Sequence, residues 1–378
     1  MFKQHQTKTL DVEVYLGIGL RFFIVSVLLV IVSFEYVQAQ PAIEFTRFYD
    51  AGASGMDGFR DIYSLPEDGF IMCGHASGQM GSLWVVEIDE NGRIVWEGTF
   101  GNGIGNSIIQ TDAADYVIGG GTGEMFIAVR VSAEGEQIWR RQYTSGSCKA
   151  VIELKNGDFI LAGRIDNVNV RRGYIIMIDD DGDVIWANQY QQNDDRIQTF
   201  TALRETNDGV VVGGWTQQGV WVMKIDLEGE IIWMQHHPVG RNVAPAYAMI
   251  SSPDGGFLLT GRHTENRENN GRPFPYLLKI DSNGNRQWAM SYPDGVTEYS
   301  WCLISIDDTG YALVGNVYPD DYWDPMLIRT TADGEFRYRE IFNFDEEWGW
   351  GGLRNQFYSI VRDNDGSIVC AGLVGREN

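Results

Sequence analysis

The chain is poor in several residue types. Among 378 residues there are four cysteines, five histidines and ten prolines. The cysteines form no framework, and His75, His236, His237 and His263 have no zinc-ligand spacing, so neither a disulfide scaffold nor a zinc module organises the fold. Positive charge is scarce: 29 Lys and Arg face 52 Asp and Glu, a formal charge of −23. Such a surface repels phosphates, and nucleic acid is not expected as a partner. No segment sustains a 3.6-residue apolar period, which removes helical bundles, and a parallel βαβ sheet would need crossover helices that are also missing. There is no Gly-x-Ser-x-Gly elbow, phosphate loop or Cys–His pair to mark an enzyme.

Glycine is plentiful, at 45 residues, and falls at repeated places. The stretch from Tyr276 to Tyr292 reads as two short strands around a tight turn, with a Trp in the second strand. Near-copies recur along the chain. Trp96, Trp139, Trp186, Trp233 and Trp288 each follow a turn glycine by four residues: Gly92, Gly135, Gly182, Gly229 and Gly284. Asp89, Asp179, Asp226 and Asp281 open four of these turns, and Ser132 opens the fifth. A sixth copy has Gly334, Phe336 and Tyr338. Upstream of each lies a second hairpin whose last strand is a short apolar run ending in glycine, as in Gly69–Gly74, Gly157–Gly163, Gly256–Gly261 and Gly310–Gly315.

Four short strands recurring every ~45–55 residues are the mark of a β-propeller blade. The expected fold is all-β, a propeller of four-stranded blades, with seven blades at approximately 56–100, 104–143, 147–190, 198–237, 245–292, 299–342 and, to close the ring, 357–378 together with 45–49. No stretch supplies a third strand to this last unit, so either the closing blade, shared by the two termini, is incomplete or the natural protein continues past Asn378. A single blade cannot bury its faces alone. The repeated tryptophans are accordingly read as the packing between blades, each buried indole removing ~150–250 Å² from water.

Residues 1–39 stand apart: Lys3, Lys8 and Arg21 border an apolar run from Phe22 to Phe34, and Val37–Ala39 offers small residues for cleavage. This reads as a signal peptide, leaving 40–378 as one propeller domain, secreted or at the cell surface, with no stable membrane span after cleavage. The leader carries three basic and three acidic residues, so the excess of 23 negative charges is unchanged by its removal. The cysteines read as buried free thiols.

The Ile-Asp-x-x-Gly-x-x-x-Trp pattern resembles the tryptophan-docking repeat of pyrroloquinoline-quinone-type propellers and of secreted bacterial surface propellers. The resemblance covers nearly all of the chain after the leader. The quinone enzymes use adjacent cysteines with an acidic calcium cluster, and no Cys-Cys pair exists here, so no quinone and no other cofactor is expected. The acidic balance would tolerate calcium, yet no motif demands it: Asp179–Asp183 resembles part of a calcium loop but reads as a solvated hairpin turn. Ser132–Gly135 comes nearest to the Asp box of sialidase-like propellers with the wrong glycine-to-Trp spacing, and Arg164, Arg262 and Glu298 do not mark a convergent site.

One face of such a propeller carries the short turns and the other the long loops, and binding residues concentrate on loops held by a rigid frame. Two long loops are acidic and aromatic. Tyr318, Asp320, Asp321, Tyr322, Trp323 and Asp324 lie in one; Glu346, Glu347, Trp348 and Trp350 lie in the next. Exposed rings beside carboxylates suit a sugar ring, a cationic ligand or a divalent ion. The basic residues Arg164, Arg171, Arg172, Arg262, Arg267 and Arg272 decorate other loops, where salt bridging explains them. The expected function is non-catalytic binding of a protein or glycan through the loop face. The alternative is a carbohydrate-active hydrolase drawing acids from Asp320, Asp324, Glu346 and Glu347.

Overall fold

The computed structural model describes residues 27–33, 42–51, 57–76, 81–167, 170–191, 197–240, 244–264, 271–319, 323–342 and 353–376. They form antiparallel four-stranded sheets whose strands, A to D, follow chain order in all but the sheet that joins the two ends of the chain. The first comprises Gly58–Ser64, Phe70–Ala76, Ser82–Ile88 and Ile94–Asn102. The second and third are joined into one seven-stranded sheet because Gln137–Glu153 is strand D of one and strand A of the next. Three more begin with strands Gln198–Thr206, Ala246–Ser251 and Thr297–Ile306. Each strand A contacts the strand A of the following sheet, and Leu353–Arg362 returns to Gly58–Ser64, so the sheets run round a ring. Among the described residues no helix is long and apolar enough to cross a membrane.

The hydrophobic core lies between sheets rather than within them. One cluster, for example, joins Ile71, Cys73 and Val85 of the first sheet to Ile118, Ile127 and Val129 of the second. Central strands are therefore buried on both faces, as in Phe274–Ile280 and Asp324–Thr330, where every residue is buried although Lys279, Asp324 and Arg329 are among them.

The repeated turn explains how neighbouring sheets lock. Asp89, Asp179, Asp226 and Asp281 each accept two backbone N–H bonds at Oδ1, from the residues two and four further on, at 2.8–3.1 Å. Asp179 thus braces a hairpin. The turn glycine has φ near +80° and also faces the tryptophan of the preceding sheet: a Cβ on Gly135 would lie 2.8 Å from the Trp96 ring, and one on Gly284 2.6 Å from Trp233. Trp139, Trp186 and Trp288 meet Gly182, Gly229 and Gly334 in the same way. The aromatic that ends strand D then donates its hydroxyl to that glycine's carbonyl, Tyr190 to Gly229 at 2.7 Å and Tyr292 to Gly334 at 2.6 Å. These indoles are less enclosed than expected. Trp139 is buried, but Trp96, Trp186, Trp233 and Trp288 are half-buried because each sits on an outermost strand with one face toward the rim. The fully buried indoles are Trp84 and Trp221, in C strands, stacked on Phe59 and Phe200.

The closing sheet corrects the expectation of a missing strand. Its order is Ala42–Tyr49, Val27–Ser33, Ile368–Arg376, Leu353–Arg362. Val27–Ser33, from within the run read as the leader's apolar core, takes the third position, pairing Leu29–Val32 with Ile368–Ala371 and the whole strand with Ala42–Tyr49. An inner strand of a sheet and a leader's apolar core share one composition, so apolar length alone does not separate them. Tyr49 completes the ring, its hydroxyl reaching the Gly92 carbonyl at 2.8 Å.

A chain beginning at Gln40 should therefore lose the only ladder partner of Ala42–Tyr49 and expose one edge of Ile368–Arg376. The expected result is a lower Tm, concentration-dependent association and faster amide exchange over 368–376, read by hydrogen-exchange mass spectrometry. Exchange equal to that of the full chain would contradict this pairing.

Candidate functional site

The innermost strands share an irregularity that sequence reading did not anticipate. Every strand A carries a β-bulge at the equivalent place, so one residue in each has no ladder partner. On one arc the bulged residues are Arg60, Asn106, Lys149 and Thr201; on the other they are Tyr247, Trp301 and Tyr358. Two residues before each bulge, the strand A carbonyl presses onto a glycine of strand B. A Cβ on Gly74, Gly120, Gly163, Gly214, Gly261, Gly315 or Gly372 would lie only 1.7–2.2 Å from that oxygen. The glycine ending each apolar run is thus the imprint of the bulge opposite, and it is the signal by which these residues are found in the sequence.

Some of the bulged side chains brace their neighbours. The Asn106 amide donates to the Cys148 carbonyl at 2.8 Å, and the Thr201 hydroxyl to that of Ala246 at 2.9 Å. Others gather into an aromatic arc: Tyr247 lies 4.5 Å from Trp301, and Trp301 5.7 Å from Tyr358, whose ring carries the Arg60 guanidinium at 4.2 Å.

The residue after the bulge forms a second layer. Asp61 accepts hydrogen bonds from the Ile108 N–H at 3.0 Å, the Ile62 N–H at 3.1 Å and the Ser359 hydroxyl at 2.8 Å, tying the first sheet to both neighbours. Burial nonetheless pushes its carboxyl up to about 6, outweighing those bonds. Burial likewise raises the thiols of Cys73, Cys148 and Cys302, and all four cysteines are free.

From the axis the aromatic arc climbs to the loop face. Tyr299 stacks on Trp301 at 5.6 Å, Trp323 lies 5.2 Å from Tyr299, and Tyr318 lies 4.9 Å from Trp323. Two of the loop residues singled out from the sequence, Tyr318 and Trp323, therefore join a ladder reaching the bulge ring. Asp324, by contrast, is buried at the start of its strand rather than displayed on the loop. Asp320, Asp321, Tyr322, Glu346, Glu347, Trp348 and Trp350 lie outside the described residues.

The other charged candidates have partners of their own. Arg164 and Arg171 pair with Asp166, the Arg262 guanidinium donates to the Tyr247 hydroxyl at 3.0 Å, and Arg272 donates to the Gly295 carbonyl. Glu298 is fully buried against Arg339 at 3.1 Å; burial raises its carboxyl to about 7, although the Arg339 charge pulls the other way. Among the described residues no three His, Cys, Asp or Glu side chains gather closely enough to hold a metal ion.

No protein-family model matches the chain, and neither does any curated protein. Solved structures do. Sqt1 from Chaetomium thermophilum aligns at 10% identity and a TM-score of 0.53, covering 86% of this chain and 97% of that one. The Dos1 propeller aligns at 10% identity and a TM-score of 0.50, covering 84% and 77% respectively. A Sqt1 structure bound to the N-terminus of ribosomal protein L10 aligns at 10% identity and a TM-score of 0.49, covering 87% and 98%. At such identities the likeness concerns the fold, and with the ring of four-stranded sheets it defines this chain as a β-propeller.

Proposed function

We propose that this chain is an exported, seven-bladed propeller that binds a protein partner on its loop face, without catalysis. The observation that carries the reading is the continuous run of rings from Tyr318 through Trp323 and Tyr299 to Trp301. Large, rigid aromatics on a stiff frame are the residues that anchor interfaces, because they bring contact area with few torsions to freeze. The loops supply the partner-facing surface, and the bulged strands fix the rings beneath it. The pairing of Val27–Ser33 in the closing sheet makes the processing of the leader part of the same question, which N-terminal sequencing of the exported chain answers.

The test begins with proteins crosslinked to the chain in extracts of its own cells. The best candidate is then titrated by calorimetry against the wild type and Trp323→Ala. Trp323 is half-buried in a loop, so the variant should keep its Tm while binding ~30-fold or more weaker, as expected for an anchor contributing about 2 kcal/mol. Equal affinity would remove the reading, as would binding of an oligosaccharide in place of any protein.

A further inference from the structure

The arc that adjoins the aromatic residues, where Arg60 lies over the Tyr358 ring, holds cations with no acidic partner. Among the described residues neither Arg60 nor Lys149 has a carboxylate within ion-pairing distance, although the chain as a whole carries 23 excess negative charges. Surface attraction would normally supply such a partner in so acidic a protein. Both residues stand at bulges of the innermost strands, where they have no ladder partner. Burial pushes the Lys149 ammonium down to about 8, and the like charges of Arg164 and then Arg60 add to the effect, so these groups are near enough to repel one another.

Arg60 and Lys149 offer donors only, and the Asn106 amide stands between them in the ring. Two carboxylates lie near and both are occupied: Asp166, whose charge acts on Lys149, pairs with Arg164 and Arg171, and Asp61 accepts from Ile108, Ile62 and Ser359. A neutral sugar would leave both cations without a counter-charge. A long polyanion would meet the acidic surface outside. An isolated carboxylate beside an apolar body meets neither obstacle: donors receive it, and rings stand ready alongside.

Resting on the protein-binding reading above, we propose that the axial mouth receives a carboxylate of an acidic peptide between Arg60 and Lys149, with the adjoining side chain against Trp301 and Tyr358. The partner is thus a protein that presents a carboxylate next to an aromatic or aliphatic residue.

The probe is an acetylated, C-terminally amidated Gly-Phe-Asp-Gly peptide, compared by calorimetry on the full chain with its Phe-Asn counterpart. The Asp peptide is expected to bind at least ~10-fold tighter, with the advantage lost in Lys149→Gln, kept in Lys149→Arg and weakened by salt. Equal binding of the two peptides, or an advantage untouched by Lys149→Gln, would overturn the proposal. So would an oligouronate that binds the same site more tightly than the Asp peptide. A ligand-free measurement guards against misfolding of the variants: in trace acetylation of the wild type at pH 8, Lys149 should react ahead of the ion-paired Lys224 and Lys279. An unreactive Lys149 would show that it does not face an open axis. If a crosslinked partner still needs Trp323 but ignores Lys149→Gln, the axial assignment alone fails.

Discussion

Gly315→Ala should yield almost no folded protein. The added Cβ would lie 1.7 Å from the Tyr299 carbonyl oxygen, and both atoms belong to backbone held in a ladder, so neither can step aside as a side chain could. Overpacking a well-formed core costs ~1–3 kcal/mol when side chains can adjust, and more when they cannot. A cost above about 3 kcal/mol is expected here, together with loss of the bulge that aims Trp301. The matched control is Gly123→Ala. Gly123 also has a glycine's backbone, with φ +90°, but nothing lies within 4 Å of its would-be Cβ. That variant should lose only about 1 kcal/mol, from strain at a positive φ. Chemical denaturation of the pair measures the difference, and similar losses in both would refute the carbonyl contact.

Trp221→Ala should be the most damaging of the tryptophan substitutions, at about 3–5 kcal/mol. Trp221 is fully buried, stacks on Phe200 at 4.5 Å and lies in the core joining the third and fourth sheets. Trp96→Ala should cost about half as much, since its ring is half-buried and covers Gly135 with one face. The order is the informative result. If the repeat tryptophan proved the costlier, the packing between sheets would reside at the rim, contrary to the burial seen here. Urea denaturation of both variants at one pH decides it.

Much of the architecture could be read from Trp96 and its counterparts because a turn glycine, an indole and a closing aromatic each meet the next copy of the same motif. Periodicity reports such contacts directly. Trp84 and Trp221 are harder to pick out: each stands five residues before its turn aspartate, a place held by Tyr174 and Tyr276 in other copies, and a ring inside an apolar run looks like any other central-strand residue. The closing sheet was misread because Val27–Ser33 has the composition of a leader and lies some 340 residues from the strand it pairs with. Local pattern carries no information on a partner that distant. At the site, Tyr318 and Trp323 are visible as loop aromatics, whereas Arg60, Lys149 and Trp301 are not, since the one-residue break that a bulge makes in a short strand's alternation looks like ordinary irregularity. Only the glycine across from it betrays the displacement.

That displacement bears on how such molecules diversify. A side chain lifted out of the ladder is released from the demands of layer packing, so its identity can change while the frame stays as it is. Arg60, Asn106, Lys149, Thr201, Tyr247, Trp301 and Tyr358 include a guanidinium, an amide, an ammonium, a hydroxyl and three aromatic rings at places that are geometrically alike. The hub of the wheel works as a set of interchangeable fittings, and relatives built on the same spokes can acquire new specificities by exchanging those fittings alone.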